Sequence, residues 1–154
     1  MLPSKPVSAS EVIMTQLVLP IHTNSLDTIF GGTIMSWIDV AAAISAQRHC
    51  NREVVTASID QLSFYAPVKK GWVVNLKSRV NFVAKTSMEV GVQVTAENPR
   101  TGELFHTSSA YLTFVALDSH GKPTAVPELI LETDVDKKRF DEGKTRRQQR
   151  IANR

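Results

Sequence analysis

The sequence has one cysteine, Cys50, so no internal disulfide can form and a multi-cysteine metal site is excluded. A reducing, cytoplasmic setting is the expectation that goes with this shortage of thiols. Nowhere do about 18 apolar residues run consecutively, which leaves no helical segment to span a bilayer. The first ten residues hold one Lys and no apolar run, so no secretory leader is expected there. His22, His49, His106 and His120 are scattered and make no metal-ligand spacing, so no metal is expected. Net positive charge is missing from the body of the chain. Residues 143–154 carry five basic and no acidic side chains, while the other 142 residues carry 13 basic and 15 acidic. Nucleic-acid recognition needs a basic face on the domain itself. No nucleic-acid partner is therefore expected, and the basic end reads as solvated chain.

What is present is ordinary globular material, 42% hydrophobic and 21% charged over 154 residues, enough for one domain with a real core. Residues 1–10 read as a loose lead-in, 11–127 as the domain, and 128–154 as a charged helix or tail. Residues 12–19 read as a strand stopped by Pro20. The apolar run that opens at Gly31-Gly32 predicts a helix over 32–49. Ile34, Met35, Trp37, Ile38, Val40 and Ile44 distribute around all its faces, the pattern of a buried helix. After it the period changes to two. Val74, Leu76, Val80 and Phe82 alternate with polar residues, as do Met88, Val90, Val92 and Val94. Residues 54–64 and 103–116 complete four long strands, with turns at 84–87 and 98–102. One long helix against an antiparallel sheet of about five or six strands is an α+β architecture, the hotdog arrangement.

Asp39 lies in the middle of the apolar helix. A carboxylate there must be paired, neutralised or functional. No Lys, Arg or His occurs from Gly31 to Gln47, so a partner must come from elsewhere, or the helix must open to a cleft. Phe30-Gly31-Gly32-Thr33 precedes it. The first amides of a helix lack internal acceptors, which suits them to a developing oxyanion. Gly32 and Asp39 are separated by about two turns, roughly 10 Å along the axis, so one copy's helix start and its own Asp39 do not reach one carbonyl together. Asp27, in the preceding loop, is a third candidate and the second acidic one. Arg48-His49-Cys50 offers no dyad, because sequence neighbours on a helix do not face each other. His106 shares an apparent strand face with Leu104, Ala110 and Leu112 and reads as a core histidine. Asp60 marks a kink where the strand's apolar phase shifts. Phe30 and Phe64 read as core packing or as walls of an acyl channel.

The stretch Asp27–Asp39, with Val55-Thr56-Ala57-Ser58-Ile59-Asp60 and Ala110-Tyr111-Leu112-Thr113-Phe114, resembles the hotdog acyl-CoA thioesterases, over about residues 12–127. The resemblance implies hydrolysis of an acyl-CoA thioester to free acid and coenzyme A, in the cytoplasm and without a cofactor, coenzyme A being part of the substrate. Asp39 matches the family's catalytic aspartate, as general base or nucleophile. Asp27 matches a loop position that is often Asn or Asp, set opposite the partner copy's aspartate. Gly31 and Gly32 would polarise the carbonyl, and Thr56 would bind water or brace the site. The turn Lys85-Thr86-Ser87 would contact the nucleotide end of coenzyme A, with Arg79 and Phe64 as further contacts. A dimer of hotdogs, and a trimer of such dimers, is the implied assembly. A hotdog dehydratase would need a His beside its acid, and none lies between Thr23 and Arg48. A non-catalytic acyl-CoA-binding module is the remaining alternative.

Overall fold

The computed structural model describes residues 2–154. In chain order the elements are β1 (Lys5–Pro6), β2 (Val12–Leu17), α1 (Gly31–Cys50), β3 (Glu53–Phe64), β4 (Val73–Val83), β5 (Ser87–Glu97), β6 (Leu104–Leu117), β7 (Leu129–Ile130) and α2 (Asp134–Ala152). Five strands form one antiparallel sheet in the order β2-β4-β5-β6-β3, and β1 pairs in parallel with β7. The strand–helix–four-strand order expected from the periodicity is the order found.

The core lies between α1 and the inner sheet face. Ile34, Ile38, Ala41, Ala42 and Ala46 meet Leu76, Val80, Val90, Leu112 and Phe114, all buried. Alanines at 41, 42 and 46 let the helix approach the strands closely. The expectation that α1 is buried on every side is not met. Met35 and Val40 remain 40% and 48% exposed. One five-stranded sheet covers one side of a helix, and in a single chain the second side stays open.

The helix ends in the left-handed region at Asn51, with φ 54°. The Lys5 ammonium bonds the Arg48 carbonyl at 3.0 Å and also the Asn51 side-chain oxygen, placing a cation on the helix C-terminus. The lead-in is therefore tied down. Val7 and Ser10 are buried, and Ser10 Oγ accepts from the Val80 amide at 2.9 Å.

His49, fully buried near that end, meets the Pro127 carbonyl through Nε2 at 2.6 Å, while Nδ1 has no partner among the described residues. Burial pushes its pKa below the ordinary imidazole range, opposed by the Pro127 contact and helped by the nearby Lys5 charge. A group whose folded pKa is lowered binds fewer protons folded than unfolded. Its contribution is complete above the unfolded value of about 6.5 and is lost as pH falls below it. The denaturation midpoint should therefore decline as pH drops from neutrality toward 5, and His49→Gln should flatten that decline.

The C-terminal segment is not a loose tail. Helix α2 lies across the outer face of the sheet, fastened by ion pairs to three strands. Arg79 on β4 meets Asp136 at 3.2 Å, and Glu89 on β5 takes both prongs of Arg146 at 2.6 and 3.0 Å. Asp60 on β3 accepts from Arg150 at 2.9 Å. The Arg146 guanidinium also lies 3.6 Å from the Tyr111 ring centroid. Gly143 sits at the closest approach, where an added Cβ would meet the Phe82 Cβ at 2.8 Å. Two of the five terminal basic residues are thus turned inward onto acids of the body. Among the described residues no helix is long and apolar enough to cross a membrane.

Candidate active site

Asp39 sits half-exposed on the open side of α1, one turn beyond Met35. Its Oδ1 accepts a 2.8 Å hydrogen bond from Thr56 Oγ1 on β3, and among the described residues no cation pairs with it. Of the two possibilities posed by the sequence, the helix opens outward at Asp39, and the fixed partner is a hydroxyl. With Oδ1 held, Oδ2 remains to take a proton or attack.

The start of α1 is bare. Phe30 occupies the cap position without a side-chain cap bond. The amides of Thr33 and Ile34 both reach the Phe30 carbonyl, and no acceptor among the described residues takes those of Gly31 and Gly32. An added Cβ at Gly32 would come within 2.8 Å of the Phe30 ring, and one at Gly31 within 4.0 Å of Phe64 Cζ. Phe30 and Phe64 therefore stand at the helix start and are half-exposed, not core.

Asp27 is exposed, adopts a left-handed φ of 58°, and lies 3.8 Å from Lys70 Nζ. Its loop carries a residue that the sequence reading overlooked. Asn24 Oδ1 accepts from the amides of Leu26 at 2.9 Å and Thr28 at 3.3 Å, and from Thr28 Oγ1 at 3.2 Å. Backbone amides can only donate, so the oxygen of Asn24 must face the turn. Its NH2 group, with two donors, is then turned away from that turn and meets no acceptor among the described residues. The loop is clamped from outside, as Ile29 donates to the Val68 carbonyl and Lys70 to that of Asp27.

Lys85, Thr86 and Ser87 form the expected turn between β4 and β5. Their carbonyls accept from Val126, Ala116 and Ala84. Lys85 is exposed and its two neighbours half-buried. Arg79 does not join them. It is mostly buried beneath α2 against Asp136 and Glu11, at 3.2 and 3.8 Å, which explains its presence structurally. His106 is exposed, with Nε2 3.0 Å from Ser109 Oγ, and is not a core histidine. A register shift at Val94/Thr95 leaves Thr107 as an extra residue on β6 and turns the preceding side chain outward.

Comparison with known proteins bears on this geometry. Residues 26–103 match the thioesterase superfamily. The acyl-CoA thioester hydrolase YkhA of Bacillus subtilis is 49% identical over 125 residues, covering 81% of this chain and 73% of that one. The chain belongs to the hotdog acyl-CoA thioesterase family. A hexameric acyl-CoA thioesterase superposes with a TM-score of 0.94 at 41% identity, over 99% of this chain and 97% of that one. The acyl-CoA hydrolase of Staphylococcus aureus, solved with butyryl coenzyme A, superposes at 0.91 and 39% identity, over 98% and 92%. The cytosolic acyl coenzyme A thioester hydrolase of rat is 38% identical over 150 residues, and the chain spans 39% of its length. The staphylococcal enzyme has also been solved with an asparagine, an aspartate and a threonine each changed to alanine, the second fifteen residues after the first and the third seventeen after the second. Asn24, Asp39 and Thr56 repeat that order and both spacings. Asp27 takes no part in that spacing.

Proposed function

We propose that the chain hydrolyses acyl-coenzyme A to a free acid and coenzyme A, with Asp39 as the acting carboxylate. The observation that carries this reading is the Asp39–Thr56 pair. One carboxylate oxygen is fixed by a hydroxyl, no cation neutralises the group, and the surrounding helix face is apolar and open. Oδ2 accepts a proton from water as that water adds to the thioester carbonyl. The oxyanion is held by the Asn24 amide and the amides at Gly31 and Gly32. The C–S bond then breaks, and the sulfur leaves as the thiolate of coenzyme A. Attack by Asp39 itself, through a mixed anhydride, is the second route open to the same oxygen. Neither route draws on a metal or a cofactor.

The helix start and Asp39 of one chain are too far apart for one thioester, so the two halves come from two copies. Strand β3 is a sheet edge with β6 as its single neighbour, and exposes Val55, Ile59 and Phe64. Pairing of β3 with β3 of a second copy covers these residues and the open side of α1 together. A trimer of such dimers is the assembly proposed, supported by the hexameric relative. The cytosol is the compartment proposed, a word the rat relative carries in its name.

The turn at Lys85-Thr86-Ser87 is proposed to receive the nucleotide phosphates, with Lys85 as the charge. Lys85→Ala should raise KM roughly fivefold, the scale of one exposed charge contact of about 1 kcal/mol, and leave kcat unchanged. Steady-state kinetics at two salt concentrations checks this. The proposed activity is tested by following free-thiol release from acyl-CoA substrates of two carbons upward. Thiol should appear at one or more chain lengths. Retention of intact acyl-CoA without release at any length would make the chain a binding module.

A further inference from the structure

Thr56 and Asp60 are four residues apart on β3, yet they point to opposite faces of the sheet. Thr56 pairs with Phe114 of the core and faces α1, where it holds Asp39. Asp60 pairs with Tyr111, beneath Arg146, and faces α2. In a regular strand both would share a face. The register shift between Thr56 and Ser58 leaves Ala57 as an extra residue, and that one bulge reverses the phase. A second shift follows between Asp60 and Ser63, where Gln61 takes a left-handed φ of 55°. The segment between the two irregularities thus runs in its own register, one residue out of phase with the strand before it. Within one copy β6 is its sheet neighbour, and the proposed β3–β3 pairing supplies the other side. A one-residue slip would turn Thr56 away from α1.

From the outer side of the sheet, one side-chain hydrogen bond reaches this segment. Arg150, in the last turns of α2, bonds Asp60 at 2.9 Å, and both side chains are largely covered. The helix that delivers it is held independently by Glu89–Arg146 and Arg79–Asp136. We propose that Arg150, acting through Asp60, is a positioning residue that locks the Ala57 bulge and so aims the Thr56 hydroxyl at Asp39. The terminal helix then serves the reaction without touching substrate. This rests on the hydrolase reading of Asp39 and Thr56.

The test is a double-mutant cycle. Arg150→Met and Asp60→Ala should each lower kcat about tenfold with KM within about twofold, as expected for a misaimed group. In a Thr56→Val background, either change should cost less than about twofold, because the hydroxyl being aimed is already gone. Arg150→Lys should recover most of the loss. Equal fold losses in both backgrounds, or unchanged kcat in a folded Asp60→Ala protein, would overturn the proposal. Amide exchange at residues 57–60 is read in parallel and should accelerate in Arg150→Met, while unchanged exchange there counts against the lock. A parent protein that releases no thiol sinks the hydrolase reading alone, and the exchange arm still decides whether Arg150 fixes the bulge.

Discussion

Asp39→Asn should lower kcat by about a thousandfold or more, within the range for losing a positioned general base, while leaving acyl-CoA binding and assembly intact. The amide has nearly the shape of the carboxylate, and its oxygen can still accept from Thr56 Oγ1, so the 2.8 Å contact need not be lost. What it cannot do is take a proton from water at Oδ2 or attack a carbonyl. A fall in kcat with KM near the parent value marks an interaction used only in the transition state. The stability of the variant should match the parent, since the side chain is half-exposed and unpaired with any cation among the described residues. Turnover close to the parent's would transfer the role to another group.

Asn24→Ala should cost about a hundredfold or more in kcat, the usual scale for one lost oxyanion donor. Its carbonyl oxygen is committed to the turn by three donors, so the substitution also loosens the loop. Asn24→Asp separates the two effects. The carboxylate keeps the turn, because it accepts from the same amides, but presents no N–H outward. Both variants should therefore be slow. Asp27→Ala should stay within about fivefold of the parent, since an exposed pair such as Asp27–Lys70 is worth at most about 1 kcal/mol. An Asp27→Ala loss as large as that of Asn24→Ala would restore the acidic residue to the site.

The main architecture was legible because each signal was local. Alternation placed β4 and β5, the runs at 54–64 and 103–116 completed the sheet, and a long apolar run after Gly31-Gly32 placed α1. Asp39 stood out as a lone charge within an apolar helix. The phase shift at Asp60 was visible as a kink, and the structure supplies its cause in the bulged register. What escaped was carried by contacts distant in sequence. Helix α2 is mostly charged, and its docking depends on Arg146 and Arg150 meeting Glu89 and Asp60, 57 and 90 residues away. Arg79 looked like a free cation for the same reason, its acid lying on α2. The exposure of His106 follows from the extra residue Thr107, which strict alternation cannot reveal. Asn24 was missed because a loop asparagine that bonds its own turn is common. Its offset of fifteen residues from Asp39 became informative only beside the staphylococcal variants. The open side of α1 was misread because hydrophobic pattern marks a face as covered without saying by which copy.

The decisive measurement mixes two inactive proteins. Asp39→Asn and Asn24→Ala subunits are combined, unfolded and refolded together, and assayed for thiol release. If each site joins Asp39 of one copy to Asn24 of the other, a mixed dimer holds one intact site and one site lacking both groups. Random pairing through a two-fold interface then restores about one quarter of parent activity. Activity that stays at the level of the separate variants, in mixtures shown by mass to contain mixed dimers, would contradict a site built across two copies.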